Sequence, residues 1–487
     1  MKTFGRAVFI TIAVTLLGTG IASATDYTWT GGGLGDTNWS QTSNWNPSSG
    51  YPVSTSDSAV IGSGGAQATM NTSGVATSLT FSRGADFTIN GSSTLILYGG
   101  GINVTDNKNY TISAPLQLSA SNMSFTNTSG GTLTVGAIST QLYQLNWNTS
   151  SASDSITGII SSSSSNGSLT KSGAGTLTLS GNNTYQGATT IVDGYLSISQ
   201  DANLGTAPGS ATADHLVFAA STTYPTLVIT ENMTLNANRG MTLNNTGGEA
   251  IQVESGKTAT YNGIIAGPGG GSGSDFSKWG DGTLVLGGVN TYAGDTYVDS
   301  GILAITGTTA NSTMLVYGGT LAGTGTIGSV TVGYWDGGST VTPGTIAPGV
   351  GSTGTFTTGD MLLNRTSTYA WEVNGASCDL LQINGTLDIT ALGTGAGETF
   401  NISVTGAPGS STNWILADFT SLFGAFDASK FTVDNQTGAG LFSLSYDAGN
   451  TRFEMNYSAV PEPSSVAFFG IGLIGIGGLL RKKIRGS

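Results

Sequence analysis

Enzyme chemistry needs a nucleophile, a base or a facing pair of carboxylates, and this chain is poor in all three. Its 487 residues include one histidine, His215, and one cysteine, Cys378. A catalytic triad requires its base beside its nucleophile, and His215 opens a strand-like run through Leu216, Val217 and Phe218 that reads as structural. Glycoside hydrolysis requires two acids across one bond. The acids Asp193, Asp281, Asp295 and Asp299 sit in turn-like contexts, where Asp commonly bonds nearby backbone amides, and they form no D-x-D or E-x-D doublet. With no H-x-x-x-H or C-x-x-C spacing, no metal or cofactor is expected, and the chain is not expected to be an enzyme.

More specific spacing lies at the two ends. Lys2 and Arg6 precede an apolar run from Ala7 to Leu17, and small residues follow, closing at Ala22, Ser23 and Ala24. That order is a secretory signal over residues 1–24, cut by signal peptidase after the Ala22-x-Ala24 pattern, and it implies passage through the general secretion machinery. At the other end, Val460-Pro461-Glu462-Pro463 leads into an apolar stretch, about 464–480, and then Arg481, Lys482, Lys483 and Arg485. The prolines stop any preceding strand, the apolar stretch is near the lower length limit for a transmembrane helix, and the cations hold the cytoplasmic side. The body between the ends therefore faces away from the cytoplasm. The tail 460–487 resembles the PEP-CTERM sorting tail, with its V-P-E-P box, single apolar helix and basic end. The resemblance implies recognition by an exosortase-type protease, cleavage near the Pro-Glu-Pro box, and an association with exopolysaccharide.

Composition bounds the body. Only 9% of residues are charged and 76 are glycine, against the roughly 25% charged residues of an average domain. Disorder is disfavoured, because 38% of residues are hydrophobic and many alternate with small polar ones. The whole chain carries a net charge of −13. Without the six basic residues of the two ends the charge falls to roughly −19, which repels nucleic-acid phosphates and anionic lipid. Neutral glycans or cations suit such a surface better. A single cysteine allows no intrachain disulfide, so stability has to come from packing and backbone pairing.

The body contains a repeat. The segment Lys171-Ser-Gly-Ala-Gly-Thr-Leu-Thr-Leu-Ser-Gly-Asn-Asn-Thr-Tyr-Gln-Gly187 aligns without a gap on Lys278-Trp-Gly-Asp-Gly-Thr-Leu-Val-Leu-Gly-Gly-Val-Asn-Thr-Tyr-Ala-Gly294. The match continues to Ile198 and Ile305, with about half the positions identical. Leu177 and Leu179, like Leu284 and Leu286, alternate with small residues as a strand with one buried face does. Asn183 and Asn290 lie in the intervening turns and are expected to cap turns of adjacent coils. These units, 169–198 and 276–305, resemble the autotransporter-associated β-strand repeat. The passenger domains that carry it end in a membrane barrel, whereas this chain is expected to end in one helix, so the resemblance implies the solenoid and not self-secretion.

The fold class that follows is all-β: an elongated parallel β-helix, or β-solenoid, over 25–393, a C-terminal β cap over 394–458, and the single C-terminal transmembrane helix. At about 22 residues per coil and ~4.8 Å per rung, the body is expected to be roughly 80 Å long. Trp29, Trp39 and Trp45 precede the rungs, as an aromatic cap over the first coil or as sugar-stacking rings; burial separates the two. The function expected is that of an exported structural or adhesive protein of the cell surface or extracellular matrix, anchored by its tail until sorted. The alternative is a polysaccharide-active β-helix enzyme, a lyase or glycosidase.

Overall fold

The computed structural model describes residues 24–459 apart from 33–34, 63, 220–223, 245–247, 268–274, 336–340, 411 and 436–439. Apart from three short 3-10 turns, the regular structure among the described residues is all strand, mostly of two to five residues. Nearly all pairing is parallel, each strand bonding to one a coil earlier and one a coil later. Glycine-rich corners make this possible: Gly194 and Gly301 adopt positive φ at equivalent corners, and a Cβ at either would fall within 2.6 Å of a carbonyl oxygen of the coil beneath.

Three faces result. The first runs through Met123–Asn127, Leu145–Thr149, Leu169–Ser172 and Thr189–Ile191 to Arg239–Asn244 and Ile265–Ala266. The second runs from Leu133–Val135 through Thr176–Leu179, Tyr195–Ile198 and Thr226–Ile229 to Phe276–Trp279 and Thr296–Val298. The third, from Met233–Leu235, runs through Thr283–Leu286 and Ile302–Ile305 to Phe431–Asn435. Alternation places one side chain in two inside, and in-register pairing stacks like on like. On the second face Leu177, Leu196, Leu227 and Ile251 form one inward column. On the first, Phe125, Trp147 and Lys171 stand in another.

Coil length is not uniform. The offset between stacked partners is 16 residues at Met314 and Val330 and 31 at Val330 and Met361, where the antiparallel pair Tyr334–Trp335 and Val341–Thr342 leaves the coil. The two repeat units, 107 residues apart, stand on different pairs of faces. The first unit puts its strands on the first and second faces, and the second unit on the second and third.

The N-terminal aromatics form a cap. Trp29 and Trp39 are 0% exposed and Trp45 1%, their rings packed on one another with centroids 4.6–6.5 Å apart, so they offer no stacking surface to a sugar. Parallel pairing runs on past residue 393. Phe400–Ala407 still pairs parallel to Thr368–Asn374, and Phe431–Asn435 parallel to Phe400–Ala407. The alternation Phe400-Asn-Ile402-Ser-Val404 sustains the ladder, and antiparallel closure comes only with Gly440–Asp447 and Arg452–Ala459, the latter pairing with Asn413–Phe423. Among the described residues no helix is long and apolar enough to cross a membrane. The helix expected at 464–480 lies outside them, as do residues 1–23.

Candidate functional site

Of the sequence-predicted site residues, Val460, Pro461, Glu462, Pro463, Arg481, Lys482, Lys483, Arg485 and Ala22 lie outside the described residues; Ala24 is described and exposed. The structure does show what the repeat residues do. Lys171 and Lys278 are 0% exposed. Each lies inward at a strand end and turns its ammonium into the next corner. Lys171 Nζ donates to the carbonyls of Ser172, Gly173 and Asp193 at 2.9, 2.6 and 3.0 Å. Lys278 Nζ donates to those of Trp279, Gly280 and Ser300 at 2.9, 2.6 and 3.2 Å. Burial pushes both ammonium groups down to about 8, against the attraction of nearby Asp193 and Asp154 for Lys171 and Asp281 for Lys278.

Asn183 and Asn290 are inside the stack and connect coils. Asn183 Oδ1 accepts from the Ile160 amide at 2.8 Å and its Nδ2 donates to the Asn203 carbonyl at 2.6 Å, one coil on each side. Asn290 Oδ1 accepts likewise from Ile265 at 3.0 Å. Tyr185 and Tyr292 share hydrogen bonds with Thr189 and Thr296, four residues on, at 2.6 and 2.7 Å. The lysines and asparagines of the repeat thus satisfy backbone groups at corners, a structural role.

The candidate catalytic groups are dispersed. His215, 5% exposed, places Nδ1 3.4 Å from Arg239 Nη1. Burial and that guanidinium hold the imidazole pKa below its usual value. Arg239 in turn pairs with Asp201 at 2.9 Å and donates to the Leu204 and Gly205 carbonyls. Cys378 donates to the Ile415 carbonyl at 3.4 Å, its thiol pushed up to about 11 by burial first and by Asp379. Among the described residues no cluster of His, Cys, Asp and Glu could hold a metal ion. One G-G-x-G-x-D stretch, Gly270 to Asp275, does occur before the second unit, although calcium-binding runs of that kind come as tandem arrays.

A different set of residues comes together on the outer side of the second face. Tyr224, Gly248, Asp275, Ser277, Trp279, Tyr297 and Asp299 line a groove of about 370 Å³. Register places them: Ser277 stands opposite Tyr297, and Trp279 follows on the same outward side. Trp279 Nε1 donates to Asp299 Oδ2 at 2.9 Å, and the ring meets Tyr224 edge-on at 5.6 Å. Asp275 Oδ1 accepts from the Asp295 amide at 2.9 Å. Partial burial raises the Asp295 carboxyl, with the Asp275 charge adding to it, and raises that of Asp299. The sequence alone reads Asp295 and Asp299 as turn residues and gives Trp279 and Tyr297 no role. The signal was in the aligned units, since the positions equivalent to Trp279 and Tyr297 hold Ser172 and Thr190.

Stacked parallel coils with glycine corners define a β-solenoid. The comparisons agree: residues 169–198 and 276–305 each match the passenger-associated-transport-repeat, and residues 459–482 match the PEP-CTERM protein-sorting motif. The chain is similar to an extracellular serine protease of Serratia marcescens, 39% identical over 104 residues, 21% of this chain and 9% of that protein. It is also similar to the adhesin BmaC autotransporter of Brucella suis biovar 1, 36% identical over 138 residues, 26% of this chain and 4% of that one. The chain thus spans less than a tenth of the length of these curated relatives.

Proposed function

We propose that this protein is an exported structural or adhesive component of the cell surface or extracellular matrix, sorted through its PEP-CTERM tail by an exosortase-type protease and associated with exopolysaccharide. The observation that carries the reading is one chain holding both a passenger-type coil stack and a sorting motif. The stack supplies a long, rigid, acidic surface without disulfides, suited to display outside the cell. The buried repeat residues are spent on corners and coil-to-coil bonds, and the lone histidine is enclosed beside a guanidinium, so the chemistry present favours a scaffold. The tail holds the chain at the membrane until cleavage near Val460-Pro461-Glu462-Pro463. Deleting Val460 to Ser487 tests this in the producing cell: surface labelling should be lost or redistributed, and unchanged display would contradict it.

A further inference from the structure

The two repeat units provide an internal control on what the coil requires. Inward positions are kept: Lys171 and Lys278, Leu177 and Leu284, Asn183 and Asn290, Tyr185 and Tyr292. Outward positions on and beside Leu169–Ser172 and Thr189–Ile191 are not. Ser168, Ser172, Thr190 and Val192 of the first unit become Asp275, Trp279, Tyr297 and Asp299 in the second. The first unit forms its coils with small or aliphatic residues there, so the fold does not need two large rings and two acids on the solvent side. Trp279 and Tyr297 are half-buried and Tyr224 is exposed, and aromatic rings gathered around a groove with part of their apolar surface in water mark a recognition site.

We propose that the groove at Trp279 and Tyr297 binds an uncharged glycan. The aromatic faces offer flat apolar surface to the C–H face of a sugar ring, and Tyr224 stands at one side, 52% exposed. The carboxylates of Asp275 and Asp299 are acceptors at the rim for sugar hydroxyls. No cation faces them among the groove-lining residues, and their charge excludes uronate or sulfated chains. The long axis of the ladder lets a polysaccharide run on past Tyr317, whose ring lies 5.9 Å from that of Tyr297, to Tyr334, a further 4.7 Å. The inference rests on the surface reading above for its ligand class and on the groove for its place.

The test uses the full chain in mild detergent, titrated calorimetrically with hexasaccharides of a neutral glucan, mannan and galactan, and with hexagalacturonate and a chitosan hexamer. At least one neutral hexasaccharide should bind, and Trp279→Ala and Tyr297→Ala should each weaken it by about tenfold or more with the melting temperature unchanged. Thr190→Ala, the same position in the first unit, should leave binding intact. Binding of none of the neutral sugars, preference for the anionic or cationic hexamer, or full retention in Trp279→Ala would overturn the proposal, and release of reducing ends would overturn a purely binding role. Trp279→Ala should leave cellular location unaltered, so failure here and failure of the surface reading are separately visible.

Discussion

Replacing Lys171 by methionine isolates the device that the repeat places at its corner. Methionine fills the channel of the lysine stem but donates nothing, so the carbonyls of Ser172, Gly173 and Asp193 lose their donor. Leaving three buried acceptors unmet costs about 1–3 kcal/mol each, roughly 5 in all. Against this, the ammonium is held near 8 instead of 10.5, so removing it recovers roughly 3 kcal/mol of desolvation. The net expectation at neutral pH is a loss of roughly 2 kcal/mol. The sign of the pH dependence follows from the same shift. The unfolded chain keeps this proton to about pH 10.5 and the folded chain releases it near 8. Wild-type stability therefore rises across that window, by up to roughly 3 kcal/mol, and the gain is lost as pH falls through 8. Urea denaturation followed by circular dichroism, with the variant as reference, measures the difference at both ends of the window. Hydrogen exchange at neutral pH should place the loosening in coils around 169–198 and spare 276–305, about four rungs or ~20 Å away. A stability difference that is flat from pH 8 to 10.5, or loosening spread evenly along the chain, would refute the reasoning.

Other perturbations follow from the same packing. Asn183→Ala removes bonds to Ile160 and Asn203 on opposite coils, and should cost about 2–3 kcal/mol, seen as faster amide exchange at both. Trp45→Ala opens a hole under the N-terminal cap, with an expected loss of about 3–5 kcal/mol, read as early proteolysis confined to the first coils. Asp201→Ala leaves the guanidinium of Arg239, 2% exposed, without its carboxylate. A loss of about 2–3 kcal/mol is expected in thermal denaturation, below the fully buried range because Asp201 retains contact with water.

The parts of the fold legible in the sequence were those set by period and corner chemistry. Leu177 and Leu179 alternate with threonine, and their inward placement follows from a period of two. Asn183, between glycines, reads as a corner residue and is one. Lys171 was not legible as a buried residue, because a charged side chain at a strand end is normally solvated; only the corner carbonyls of its own and the next coil explain its place. The one-face rotation between the units was hidden because it depends on the summed lengths of the intervening coils. The parallel pairing of Phe400–Ala407 is not legible, because hydrophobic alternation marks a strand without telling whether its partner runs parallel or antiparallel. The groove escaped notice because its rings come from strands about 20 residues apart in sequence that become neighbours only through the coil register.

The most direct test of the central claim is the intact mass of the protein recovered from outside the producing cell. The expected chain begins at Thr25 and ends within or close to Val460-Pro461-Glu462-Pro463, with the apolar tail removed. A chain found in the cytoplasm with Met1 and the basic end both in place would contradict it.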